Sequence, residues 1–440
     1  MKRANEISNE KTKEIFKDDL KMPFIKSIQY PVGQGGLHYS VINLGDRYFV
    51  YLYDCGSVNS IKKCSNSIKD LKDSISKIAN KITDFYIFIS HLHKDHYSFL
   101  KTIIKFLKKI NSKKKINIKI ILPYLSETEK IIFISEYDET QEYEDDEFDY
   151  INFILDPKKE IDNYFKDLKI VVQFIRHYNV DKNNDSNELS NFVYPNFPEN
   201  DGEIISDEQE WHFQKELRII WMLKIYMPKV NKKVLEEITK EIEGYKDSFD
   251  CNSENWLIEV FERKNNKYLN TKVEQQRKNL LELLRKNYET ITIDINETSM
   301  CLYSGGNNSN YLFETSIDDV PNTSSSVGWM HTGDSNLIKI GESFSRFYQD
   351  NLRNVKVFQI PHHGSNLSCN QNTLDKYELD NYYEYYVTNQ EHPNSKQPNI
   401  KNNDYNITIK SITEKSEKFE MYVSFIIRVF EYRQMQKYKI

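Results

Sequence analysis

The sequence predicts a layered α/β fold interrupted by a long, mostly helical insertion, and three observations carry that prediction. Apolar runs of strand length, such as Phe85 to Ile89, stop abruptly at short polar turns rich in histidine, aspartate and glycine. Upstream of that run, Ile68, Leu71, Ile75, Ile78 and Ile82 recur at the spacing of a helix with one buried face. The strand pattern is diluted over residues 126–290 by charged, helix-type sequence and resumes at Ile291. At 440 residues with 39% hydrophobic content, the chain is long enough for one large domain with an elaboration, or for two domains.

In chain order, residues 1–22 are polar and form an N-terminal arm, and 23–125 hold the first half of the layered domain. Strands are expected over Lys26 to Tyr30, Leu37 to Leu44 and Tyr48 to Asp54, with Gly45-Asp46 as the hairpin turn between the last two. The Phe85 to Ser90 strand, a helix over His96 to Ile110 and a strand over Ile116 to Leu122 follow. Residues 136–149 contain nine carboxylates and read as a solvated loop, because like charges repel when packed. Strands over Leu168 to Ile175 and Leu217 to Met227, and helices over Val230 to Tyr245 and Trp256 to Tyr288, complete the 126–290 insertion. Its roles as a lid, a dimerisation arm, a substrate selector or a seat for a protein partner stay open. The second half, 291–440, brings strands over Met300 to Tyr303, Tyr311 to Glu314, Gly328 to His331 and Val355 to Ile360.

Composition narrows the function classes. No apolar run approaches the roughly 18 residues that span a bilayer, and the charged N-terminus has no signal-peptide core, so a cytoplasmic location away from membranes is the expectation. The cysteines at 55, 64, 251, 301 and 369 form no C-x-x-C pair and read as free thiols. A net charge of −6 argues against a protein that coats nucleic acid over its whole surface. Lys101, Lys105, Lys108, Lys109 and Lys113 to Lys115 nevertheless form a basic run, read as a solvated helix face or as a track for a phosphate backbone.

The chemistry concentrates in His91-Leu-His93-Lys-Asp95-His96, directly after the Phe85 strand. Imidazole nitrogen and carboxylate oxygen are donors a cation such as Zn²⁺ accepts, and burying them without one leaves polar groups costly to satisfy. His91 and His93 can point the same way from an extended segment, while Asp95 and His96 face a second point, which suggests two metals. Thr332-Gly333-Asp334 puts a carboxylate at a strand end beside a glycine, and Pro361 stops the strand that delivers His362 and His363.

These segments together resemble the metallo-β-lactamase superfamily. His91 to His96 matches its H-x-H-x-D-H signature, and Asp54-Cys-Gly56, Thr332-Gly-Asp334 and Pro361-His-His-Gly-Ser365 follow in the family's order. The Pro-His-His-Gly-Ser form, with Val32-Gly-Gln-Gly35 and Asn296-Glu-Thr-Ser299, is most similar to the ComEC-type domain of the DNA-uptake competence proteins. The resemblance implies an αββα four-layer sandwich and a dinuclear centre of His91, His93, Asp95, His96, Asp334 and His363. It places Asp54 behind the ligands, and Asn296 and Ser299 in the region where other branches supply a third histidine. The first metal site, held by His91, His93 and Asp334, is therefore expected to be the weaker. Zn or Mn is the expected pair of divalent ions. Asp95, His362 and His392 are the catalytic candidates, and Ser365 and Lys94 the candidate substrate contacts.

The expected function is a metal-dependent phosphodiesterase or nuclease acting on DNA or RNA. One alternative is a small-molecule hydrolase cleaving a cyclic nucleotide, another phosphoester or a lactone. Another is an effector or regulatory subunit active only with a partner, for example in an antiviral system.

Overall fold

The computed structural model describes residues 24–43, 47–136, 147–175, 204–205, 210–215, 218–228, short stretches within 236–244 and 275–282, 299–306, 313–318, 320–324, 326–376, 384–388, 409–413 and 415–425. The N-terminal arm, the Gly45-Asp46 turn, residues 137–146, Asn296 and His392 lie outside these. The strands are β1 (Phe24–Gln29), β2 (Gly35–Asn43), β3 (Tyr48–Ser57), β4 (Ile82–Phe88), β5 (Asn117–Pro123), β6 (Ile170–Ile175), β7 (Ile204–Ile205), β8 (Glu210–Lys215) and β9 (Arg218–Tyr226). The second half adds β10 (Cys301–Gly305), β11 (Phe313–Ile317), β12 (Val320–Ser324), β13 (Gly328–His331), β14 (Val355–Gln359), β15 (Glu384–Thr388), β16 (Ile409–Ile412) and β17 (Phe419–Phe425).

They form a ten-stranded sheet, in the order β12-β11-β17-β1-β2-β3-β4-β5-β6-β7, and a seven-stranded sheet, β16-β15-β14-β13-β10-β9-β8. Side-chain alternation along the strands shows how the two pack. On β3, Tyr48, Val50 and Leu52 join the cluster that also holds Ile68, Leu71, Ile103 and Leu107 of the neighbouring helices. The intervening Phe49, Tyr51 and Tyr53 share a second cluster with Trp221, Leu223, Leu302, Trp329 and Val357 of the smaller sheet. The outward residues of that sheet, Cys301, Tyr303, Met330 and Phe358, meet Leu337, Ile340 and Phe344. Two sheets thus face each other across an apolar seam, with helices against both outer faces.

The pairings β3–β4, β4–β5 and β5–β6 are parallel, as are β13–β14, β14–β15 and β15–β16. Parallel pairing needs crossovers, here α1 (Ser65–Ile78) before β4 and then α2 (Lys94–Tyr97) and α3 (Leu100–Asn111) before β5. Helices α4 (Glu127–Glu136), α5 (Tyr150–Leu155) and α6 (Pro157–Phe165) precede β6, and α7 (Leu337–Phe347) precedes β14. The carboxyl ends of β3, β4, β13 and β14 consequently share one rim, the edge of an α/β sheet where ligands bind.

The strands expected within 126–290 are present as β6 and β9, and they join the two sheets, β6 pairing with β5 and β9 with β10. Buried Ile238, Ile242, Leu280 and Leu281 also add to the outer core. Two expectations are corrected. The single helix expected over His96 to Ile110 is two, because Phe99 N–H donates to Cys55 O at 2.9 Å and Ser98 Oγ accepts from Ser57 N–H at 3.0 Å, anchoring the chain to β3. The acidic block is not a solvated loop at its C-terminal end: Glu147 is buried against Lys94, and Asp149 caps α5 by accepting from Asn152 N–H at 3.0 Å.

His38 on β2 and His331 on β13 meet in the seam, ring centroids 4.2 Å apart, and neither ring nitrogen of His38 has a hydrogen-bond partner. Burial pushes both imidazoles well below their ordinary pKa, and the proximity of His38 adds to the effect on His331. The folded protein keeps both neutral, whereas the unfolded chain protonates them near pH ~6.5. Their contribution to stability is therefore full above that pH and declines as the pH falls below it, by about 1.4 kcal/mol per pH unit for each histidine. His38→Phe is expected to remove one histidine's share of that slope and to leave stability at neutral pH equal or higher, since no hydrogen bond is lost. Urea denaturation of both proteins between about pH 5 and 7.5 checks this, and an unaltered slope in the variant would refute it.

Candidate metal centre

β4 carries the chain to the rim, and Ile89 N–H still bonds across to β5, donating to Ile121 O at 3.0 Å. The turn after it is held from beneath by Asp54 at the end of β3. Asp54 Oδ1 accepts from Ser90 N–H at 2.7 Å, and Oδ2 accepts from Ser90 Oγ–H at 2.9 Å and from His96 Nδ1 at 2.8 Å. Leu92 and Tyr97 are buried on either side, so the loop is pinned by apolar packing as well as by that carboxylate.

The second half delivers the remaining groups from three strand ends. Ser299, just before β10, accepts Asp334 N–H on its Oγ at 3.1 Å and lies 3.1 Å from His91 Nδ1. Met300 N–H donates to Ser90 O at 2.8 Å, tying the two sheets together at the site. Gly333 has φ +51°, and a Cβ there would stand 2.8 Å from Ser90 Cβ, so only glycine lets Asp334 reach the histidine loop. After β14, His362 and His363 both adopt left-handed backbone, φ 51° and 53°, conformations that side chains other than glycine take at a cost of about 1–3 kcal/mol. His362 N–H donates to Gly333 O at 3.1 Å, which fixes this turn against the one bearing Asp334.

Asp95, His96, Asp334 and His363 converge so closely that one ligand atom from each lies within 4.8 Å of all the others. His363 Nε2 is 3.2 Å from Asp95 Oδ2 and 3.5 Å from Asp334 Oδ2, and His96 Nε2 is 3.6 Å and 3.5 Å from the same two carboxylates. Burial opposes charge on every one of these groups, yet they compensate each other. Asp54, Asp95 and Asp334 hold the His96 imidazole well above its ordinary pKa, and Asp334 with Asp95 raises that of His363. Conversely, the two histidines outweigh desolvation and pull the carboxyls of Asp95 and Asp334 below the usual carboxylate range.

The donor set fits a divalent cation. His96 Nε2 is fully buried and makes no hydrogen bond, although its Nδ1 is committed to Asp54, and it faces the Asp95 and Asp334 carboxylates at 3.6 and 3.5 Å. A buried unpaired imidazole nitrogen is expensive, and a cation accepting two nitrogens and two oxygens removes that cost.

His91 and His93 lie on the flank of this cluster. His91 Nε2 is 3.9 Å from Asp334 Oδ2 and 3.0 Å from His93 Nδ1. The two nitrogens face each other closely enough to bind one cation together. Ser90, absent from the sequence-based candidates, is the group that knits the centre together. Its position before the first histidine was readable, but its three partners come from fold geometry.

Of the other candidates, His362 Nδ1 lies 2.9 Å from Ser368 Oγ, and Ser365 Oγ accepts from Leu367 N–H at 3.3 Å within the same turn. Lys94 Nζ is 2.9 Å from Glu147, so its service as a substrate contact requires that pair to open. The lysine run does not line the centre as a unit. Lys101 is buried, donates to Glu147 O at 2.8 Å and sits 3.8 Å from the Tyr164 ring, while Lys108 pairs with Asp167 toward the far end of α3, roughly 10 Å further along the helix.

No protein-family model matches the chain, and no curated protein matches it either. Among the described residues no helix is long and apolar enough to cross a membrane, and Cys55, Cys64, Cys301 and Cys369 are buried thiols outside any disulfide.

Proposed function

We propose that the chain is a metal-dependent hydrolase of the metallo-β-lactamase type that cleaves phosphodiesters, with DNA or RNA as substrate. The observation that carries this is the convergence of Asp95, His96, Asp334 and His363 from segments more than two hundred residues apart onto one buried point at the rim. The facing sheets with helices outside, and ligand-bearing turns at parallel strand ends, support the same reading.

In this reading Asp95, His96, Asp334 and His363 hold one Zn²⁺ or Mn²⁺, and His91 and His93 with Asp334 hold a second, weaker one. Such ions supply Lewis acidity, acidifying water and offsetting the negative charge that develops on the phosphoryl group. The chain's own residues do the rest. Asp54 and Ser90 orient the histidines, and Ser299 fixes Asp334 through its backbone N–H. His362, held through Nδ1 by Ser368 on the adjoining turn, is the group placed to move a proton to the leaving oxygen.

The test is incubation of metal-loaded protein with labelled single- and double-stranded DNA and RNA, beside an Asp95→Ala, His96→Ala double variant. Cleavage by the wild type alone is expected, with affinity falling steeply as salt rises. Equal cleavage by both preparations would trace the activity to a contaminant and sink the proposal. Hydrolysis of bis(p-nitrophenyl) phosphate without cleavage of any oligonucleotide would redirect it to a small-molecule substrate.

A further inference from the structure

Glu147 is reached by two ammonium groups, one from the histidine loop and one from the helix behind it. Lys94, the residue between His93 and Asp95, places its Nζ 2.9 Å from Glu147 Oε2. Lys101, on α3, donates from Nζ to the backbone carbonyl of the same residue at 2.8 Å and lies 3.8 Å from the Tyr164 ring centroid. The two lysines are not equally placed. The Lys94 side chain is 29% exposed, whereas Glu147 and Lys101 are both buried. A polyanion arriving at the rim can therefore reach Lys94 but not Lys101. The backbone that carries Glu147 is fixed, since Phe148 stacks on Phe153 with centroids 5.2 Å apart, Phe153 stacks on Tyr97 at 4.4 Å, and Asp149 caps α5. Movement here is left to the glutamate side chain.

We propose that Glu147 is a specificity gate for multiply charged substrates, its carboxylate passing from Lys94 to Lys101 when a substrate phosphate takes the Lys94 ammonium. While paired with Glu147, Lys94 offers the rim little net charge. A carboxylate pushed off Lys94 with no second cation beside it would be stranded in a buried place, at a cost that forbids the exchange. Lys101, already bonded to the carbonyl of residue 147, removes that penalty. The hand-over moves no proton and breaks no covalent bond; it trades one ion pair for two, carboxylate on Lys101 and phosphate on Lys94. The inference rests on the phosphodiesterase reading for its purpose and adds a substrate class to it: a chain bearing a further phosphate beside the scissile one, favoured over a lone phosphodiester that meets only the metals. Glu147 and Lys101 touch no substrate and act through Lys94, so both are positioning residues.

Anisotropy of fluorescein-labelled oligothymidylate, titrated with metal-free protein in the presence of a chelator, tests the gate without cleavage. Glu147→Gln is expected to tighten binding about three- to tenfold, because Lys94 no longer has to be released from a carboxylate. Lys101→Gln is expected to weaken binding by a similar factor, and to have no effect in the Glu147→Gln background, where no carboxylate needs a second seat. Lys94→Gln is expected to lower the salt dependence by about one phosphate contact and to make Glu147→Gln silent. Hydrolysis of bis(p-nitrophenyl) phosphate by metal-loaded Glu147→Gln is expected to match wild type. Unchanged or weaker oligonucleotide binding by Glu147→Gln would make the residue a strut for the histidine loop and overturn the proposal, as would a Lys101→Gln defect that persists without Glu147. Should Lys101→Gln not fold, the Glu147→Gln gain and its disappearance in the Lys94→Gln background decide alone. Tighter binding by Glu147→Gln, with no cleavage of any substrate by metal-loaded protein, would sink the hydrolase reading and leave the gate standing.

Discussion

On the proposed hydrolase reading, Asp334→Asn is expected to give the largest loss of hydrolysis and of bound metal, because its carboxylate faces histidines of both proposed ligand sets. Its carboxylate oxygens lie 3.5 Å from His96 Nε2, 3.5 Å from His363 Nε2 and 3.9 Å from His91 Nε2. The amide keeps the shape and removes the charge, so the loss measures electrostatics and ligation rather than packing. Removing one partner from a buried, compensated set of charges costs about 3–5 kcal/mol of folding stability, and loss of a ligand is expected to lower metal affinity by more than the roughly 10–100-fold that loss of an outer-shell partner costs. The backbone N–H of residue 334 still donates to Ser299 Oγ, so the turn is expected to stay in place. Metal content and hydrolysis rate measured on the same preparation check this, together with circular dichroism. A variant that retains its metal and stays within threefold of wild-type rate would remove Asp334 from the centre altogether.

Much of this centre was legible in the sequence, for a physical reason: strands buried on both faces read as unbroken apolar runs, so residues just beyond them mark the sheet's rim. Phe85 to Ile89 and Val355 to Ile360 announced the ends that carry His91 to His96 and His362 to His363, and Gly328 to His331 announced Asp334. Alternation is equally plain in Phe419, Met421 and Val423, all buried, yet nothing in that pattern predicts that β17 sits between β1 and β11 inside the larger sheet. Its nearest partner in sequence order lies about a hundred residues away, and a lone amphipathic strand says nothing about where it inserts. The Lys94 and Glu147 pair was illegible for a different reason. A carboxylate within an acidic run looks solvated until the fold shows a lysine beside it and burial around it. Ser90 and its two histidine partners belong to the same class, because a serine before a histidine is unremarkable until Asp54 fixes the direction of its hydroxyl proton.

Gly35→Ala is expected to be among the most destabilising single changes in the protein, although Gly35 touches no ligand side chain. It opens β2 with φ +136°, a backbone conformation that L side chains rarely adopt. A Cβ there would stand 2.4 Å from Gly56 O, 2.6 Å from Ser57 Cα and 2.7 Å from Asp95 O, all backbone atoms that no rotamer change can move aside. Gly56 faces the same obstacle, since its Cβ would come within 2.6 Å of Tyr97 N and 2.7 Å of Asp95 O. The two glycines together form the floor on which the Asp95 carbonyl rests, which explains why a glycine-rich segment near the start of the chain accompanies a histidine cluster some sixty residues later. Strained backbone and overpacking together are expected to cost about 3–5 kcal/mol, part of it released by lifting the Asp95 to Tyr97 turn away from β3. That displacement pulls Asp95 off Asp334 and His363, so metal affinity falls along with stability. Chemical denaturation and zinc titration of Gly35→Ala, beside Gly244→Ala whose Cβ meets nothing within 4 Å, separate this from a generic glycine effect. Comparable stability in the two variants would show that the floor yields without strain and that the turn is held by Asp54 alone.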